Sequence, residues 1–206
     1  MNLIEISNKT QLFLEIENFN LYSEEGLIFN QEHIKKFQIH IEKINIFFQF
    51  QQLNKKINYF YVSKNLIEEY AKNKNSTGRA NLNEYSVVSI YPFHPHEITH
   101  VIIFANLGRS IPLLEEGIAV LFGRNINGEV IWKNKPISHY VEELKENNKF
   151  PNINELLDNF SKLNQDISYP ASAYYVKVII DKISIDKFKV LFKSKNRIEE
   201  LKNLIM

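Results

Sequence analysis

One stretch constrains this chain more than any other: His94-Pro95-His96-Glu97-Ile98-Thr99-His100, running on as Val101-Ile102-Ile103-Phe104-Ala105-Asn106-Leu107-Gly108. Pro95 suits the first turn of a helix, where its missing N–H costs nothing, and Gly108 suits the end of one. Apolar residues lie on nearly every face in between (Ile98, Val101, Ile102, Ile103, Phe104), so the helix is expected to be central and buried. It opens with an HExxH box, His96 to His100. Histidines four apart sit one above the other on the same helix face. Their imidazoles can reach a single metal ion, with Glu97 beside it, placed to act on a water there. A buried helix with two incidental histidines is the plain alternative.

Composition narrows the field. With 25 basic and 24 acidic residues the charges nearly balance, which predicts neither a nucleic-acid surface nor a polybasic membrane patch. There are no cysteines, which rules out disulfides and any cysteine-based metal or nucleophile site. The first residues, Met1 to Glu5, lack a basic stretch followed by an apolar run, so no signal peptide is visible. No apolar stretch approaches membrane-spanning length. A soluble protein, cytoplasmic by default, is the expectation.

The remaining segments suggest a mixed first half and a helical second half. Leu3–Ile6 and Leu12–Ile16 read as one or two strands, and a turn follows at Ser23–Gly26. A long helix is expected from Asn30, its N-cap, to about Leu53, although Ile44–Phe50 also suits a strand. His33 and His40 on this helix read as packing residues. Ile57–Val62 is a strand rich in β-branched and aromatic residues. Ser63 caps a short helix over Asn65–Lys72, and Arg79–Tyr91 reads as a hairpin. Beyond the HExxH helix, Pro112 and Gly123 bracket a second helix. Further helices are expected at Ser138–Glu146, Asn152–Phe160, from Tyr169 onward, at Ile185–Phe192 and at Arg197–Ile205. The chain reads as one domain, 1–206, with a strand and helix lobe over 1–93 and a helical lobe over 94–206.

Two histidines do not complete a catalytic zinc site, which takes three protein ligands and one open position. Glu116 follows His100 with fifteen residues between, enough for a helix to end, turn and return alongside. HExxH followed by Pro112-Leu113-Leu114-Glu115-Glu116-Gly117-Ile118-Ala119 resembles the gluzincin metallopeptidases, especially the aminopeptidase-N-like branch and its compact relatives. In those enzymes the third ligand lies in a Glu-Gly-x-Ala segment, which the resemblance places at Glu116. Glu115 competes for the role but lies about 100° around the helix. Gly117 and Ala119 are expected to let this helix approach the HExxH helix closely.

Tyr169-Pro170-Ala171-Ser172-Ala173-Tyr174-Tyr175-Val176 is similar to the gluzincin helix whose tyrosine stabilises the oxyanion of the tetrahedral intermediate. The resemblance gives Tyr169 that role, with Tyr174 as runner-up. Gly78-Arg79-Ala80 and the strand Tyr85–Ile90 take the place of the edge strand along which such enzymes hold a peptide. The Gly-x-Met-Glu-Asn signature of true aminopeptidases is absent, which tilts the expectation toward endopeptidase. Val120 stands where thermolysin-like members carry an acidic residue that orients a ligand histidine. His94, Trp132 and His139 have no counterpart role.

Together these readings imply an α+β, zincin-like fold whose strand-rich N-terminal and helical C-terminal lobes flank a zinc cleft. One Zn2+ is held by His96, His100 and Glu116, with Glu97 as general base, and the substrate is a peptide or protein. A non-catalytic peptide-binding or regulatory module on the same scaffold is the alternative.

Overall fold

The structure, a computed structural model, describes residues 1–126 and 128–205. The chain is α+β, with a sheet in its N-terminal part and helices toward the C-terminus. It divides into two compact units, Met1–Asn106 and Leu107–Met206.

The first unit begins with a helix, α1 (Leu3–Ser7), where a strand was expected. The reason is local. The Asn2 side chain accepts from the Glu5 N–H and the Glu5 carboxylate from the Asn2 N–H, a reciprocal cap that outweighs the β-branched composition. Strands β1 (Thr10–Ile16) and β2 (Phe19–Glu24) form an antiparallel hairpin. Helix α2 (Gln31–Phe48) starts at the expected cap, Asn30, but stops before Leu53 because Gln49 turns left-handed with φ 55°. There follow β3 (Ile57–Tyr61), α3 (Lys64–Ala71), β4 (Gly78–Asn81), β5 (Ser86–Ser89) and α4 (Pro95–Leu107).

The sheet runs in the order β1-β2-β3-β5-β4, parallel in its middle and antiparallel at both ends. Of the two segments expected at the edge, only Gly78–Asn81 lies there. Strand β5 lies between β3 and β4, and its Val87 and Val88 are both fully buried, as suits a strand covered on both faces. Alternation along β3 divides the core. Tyr59 faces α2, where Phe37 meets Phe19 and Tyr59 edge to face at 4.9 and 4.8 Å between ring centres. Phe60 faces the other way, into a cluster with Ile6, Val62, Leu66, Ile67, Tyr70 and Val88. Helix α4 lies on the α2 side, where His40 of α2 reaches Thr99.

The second unit holds α5 (Pro112–Gly123), a small meander of β6 (Asn125–Ile126), β7 (Glu129–Trp132) and β8 (Lys135–Pro136), then α6 (Ile137–Glu146) and α7 (Ile153–Asn159). After a short 3-10 turn at Phe160–Lys162 come α8 (Gln165–Lys193) and α9 (Arg197–Ile205). The meander departs from the all-helical expectation. Trp132 at the end of β7 is drawn into a cluster with Val120 and Ala173, which secures strands too short to hold on their own. Helix α8 is broken at Ser184 (φ 69°, ψ 161°), so the helix expected at Ile185–Phe192 is its second half.

A Cβ on Gly117 would lie 2.7 Å from the Ser172 carbonyl oxygen and 2.5 Å from Val176 Cγ2, so glycine there permits a close approach to α8. Among the described residues no helix is long and apolar enough to cross a membrane.

Candidate metal centre

Helix α4 sets the first half of the site. Its Ile98, Thr99, Val101 and Ile102 are fully buried, and the His94 carbonyl accepts from the Ile98 N–H to open the helix at Pro95. His96 and His100, both half-buried, lie one turn apart with their rings edge to face, ring centres 4.8 Å apart and Nε2 atoms separated by 3.2 Å. One donor atom from each of His96, His100 and Glu116 lies within 4.8 Å of the others. This is the one such group of three found among the described residues, and it could hold a metal ion.

Glu115 is used elsewhere. Its carboxylate accepts from the Ser110 N–H at 2.6 Å and lies 3.6 Å from Arg109, which ties the loop before α5 to the helix's first turn. That employment separates the two adjacent glutamates. A carboxylate near a helix N-terminus is favoured there by the dipole in any case.

Glu97 is half-buried, and its Oε2 accepts from the backbone N–H of Ala80 on β4 at 2.9 Å. His94 lies beside it. Ser89 Oγ accepts from the Tyr91 N–H, donates to the Thr77 carbonyl and lies 3.0 Å from His94 Nδ1. The hydroxyl of Tyr59, fully buried, donates to the Tyr91 carbonyl at 2.7 Å and pins the loop leading into α4. Burial, more than its polar neighbours, pushes that phenol far above the usual range.

Behind the helix stands a residue that sequence reasoning treated as mere packing. His40 Nε2 lies 3.1 Å from the Pro95 carbonyl and 2.9 Å from Thr99 Oγ1, which itself donates to Pro95. A carbonyl only accepts, so Nε2 carries the proton. Burial pulls this imidazole down to about 4, against the bond to Pro95, so it is neutral. Helical spacing had turned His40 inward beside Phe37, Ile41 and Ile44; nothing in that pattern distinguished a hydrogen-bonded histidine from a filler.

The two tyrosine candidates sit in different surroundings. Tyr169 is half-buried, its ring centre 6.2 Å from those of both Trp132 and Phe160. The Tyr174 hydroxyl accepts from Lys145 Nζ at 3.2 Å, and its ring meets Phe150. His139 is exposed on α6. Compared with known protein families and with curated proteins, the chain matches none.

Proposed function

We propose that this chain is a zinc-dependent peptidase of the gluzincin type. The observation that carries the reading is the convergence of His96, His100 and Glu116 donors within 4.8 Å, with Glu97 next to the first of them in the chain. Two imidazole nitrogens bound to one tetrahedral zinc at 2.0–2.1 Å stand about 3.3 Å apart, and the 3.2 Å between the two Nε2 atoms fits that spacing. Two nitrogens and a carboxylate oxygen are a donor set zinc accepts in catalytic sites.

Zinc held there supplies Lewis acidity, polarising a scissile carbonyl and bringing a water's pKa toward neutrality. The chain's own groups do the rest. Glu97 takes the proton of the attacking water and passes it to the departing amine. Tyr169 donates to the oxyanion, and Tyr174 is the weaker candidate because its hydroxyl is engaged with Lys145. Lacking the amine-holding signature of the aminopeptidases, the enzyme cuts within peptides rather than at their amino ends.

Glu97→Gln keeps the size and one acceptor of the side chain but removes the base. It should bind zinc as wild type does and lose at least about a hundredfold in cleavage of a peptide library. A variant that cleaves as fast as wild type rules out this mechanism. Wild-type protein loaded with zinc that cleaves nothing, with or without chelator, would instead leave the peptide-binding module.

A further inference from the structure

Strand β4 carries more than its place at the sheet edge. The Thr77 carbonyl accepts from the Ile90 N–H, which fixes the parity of the strand that follows. In an antiparallel pair, residues alternate between exchanging bonds with their partner and pointing away from it. Arg79 and Asn81 therefore bond toward β5, whereas the N–H and C=O of Gly78 and Ala80 face outward. Consistently, the Gly78 carbonyl accepts from Ser76 Oγ and not from β5. The outward N–H of Ala80 is the one taken by Glu97 Oε2, at 2.9 Å.

A second feature of the same strand makes that bond possible. A Cβ on Gly78 would stand 2.2 Å from His94 Nδ1 and 3.1 Å from Glu97 Cγ. Any other residue at 78 would strike the His94 ring, so that side chain or β4 would have to shift. Glycine lets the strand come close enough for Ala80 to reach the carboxylate.

We propose that β4 is a positioning element for Glu97. The Ala80 N–H fixes one carboxylate oxygen, Gly78 allows the approach, and the second oxygen is left to work as the base. The catalytic half of this statement rests on the peptidase reading; the contact itself does not. It also changes what the edge strand offers a substrate. A peptide adding to a sheet edge uses outward N–H groups, and at Ala80 that donor is already held by the enzyme's own glutamate.

The test targets one donor. Lactic acid installed in place of Ala80 turns the amide into an ester, replacing the N–H by an oxygen; the bond the Arg79 carbonyl accepts from β5 is weakened, and those of the Arg79 N–H and of Asn81 stay. In zinc-loaded protein this should lower kcat about tenfold or more and leave KM within about twofold, the sign of a base that has lost its orientation. A raised KM with unchanged kcat would overturn the proposal, because it assigns the N–H to substrate. Independently, amide hydrogen exchange in metal-free protein should show Ala80 protected in wild type and at least about tenfold faster in Glu97→Ala. Equal exchange in the two proteins would also overturn it. Because exchange needs neither metal nor substrate, an inactive wild type would sink the peptidase reading and still leave the contact decided.

Discussion

At the scale of single residues, His40 shows how a buried polar group braces the helix that carries the candidate metal ligands. Its Nε2–H is shared between Pro95 and Thr99, at the first turn of the helix that carries His96 and Glu97. Burial lowers its pKa to about 4 from an ordinary 6.5. The folded state thus keeps the ring neutral while the unfolded chain takes up a proton below about 6.5. The stability linked to this group is fully present above that pH and is lost as pH falls toward 4, by up to about 3 kcal/mol. Carboxylates titrate in the same window, so the measurement is a difference. The stability gap between wild type and His40→Gln should shrink by about that amount between pH 7 and pH 4. A gap that does not move with pH contradicts a buried neutral histidine.

At the scale of elements, the contact between α5 and α8 depends on Gly117. The Ser172 carbonyl oxygen would lie 2.7 Å from a new Cβ, and a helix backbone cannot swing aside as a side chain can. Gly117→Ala should therefore cost about 1–3 kcal/mol by forcing the helices apart, measured by denaturant unfolding. A neutral effect would mean that the two helices are loosely packed. The same element shows what the sequence made legible. Pro112 and Gly123 marked α5 to the residue, and Asn30 and Asn152 marked the starts of α2 and α7, because caps are local and residue-specific. What escaped depended on distant partners. That Gly117 faces α8 is a tertiary fact with no local sign. The meander β6-β7-β8 is held by Trp132 packing on Val120 and Ala173, which short polar segments do not announce. Strand β5 looked like an edge because a hairpin reads the same whichever of its strands pairs inward. In α1 the local signal was present, Asn2 and Glu5 three apart, but the apolar Leu3-Ile4-Ile6 pattern masked it. For the candidate site, His96 and His100 were legible as a spacing pattern and Glu116 through the resemblance, whereas His40, Ser89 and the Ala80 N–H were not, since hydrogen bonds from elsewhere in the fold leave no periodic trace.

For the molecule as a whole, the proposed metal centre joins folding to ligand. A zinc ion bound only by the folded chain adds stability that grows with its concentration, about 4 kcal/mol at a thousandfold excess over its dissociation constant. The thermal midpoint should therefore rise with added zinc and fall back with chelator, and the rise should vanish in His96→Ala. A midpoint that ignores zinc, with all three donors intact, contradicts a native site. The near balance of charge, +1 over 206 residues, gives no general pull on divalent cations, so such a response would report the site and not the surface. The most direct test of the central claim uses the two adjacent glutamates. Protein stripped by chelator and dialysed against zinc should take up one ion per chain in wild type and in Glu115→Ala, and lose tight binding in Glu116→Ala. Retained binding in Glu116→Ala, or its loss in Glu115→Ala alone, would show that the donor set is wrong.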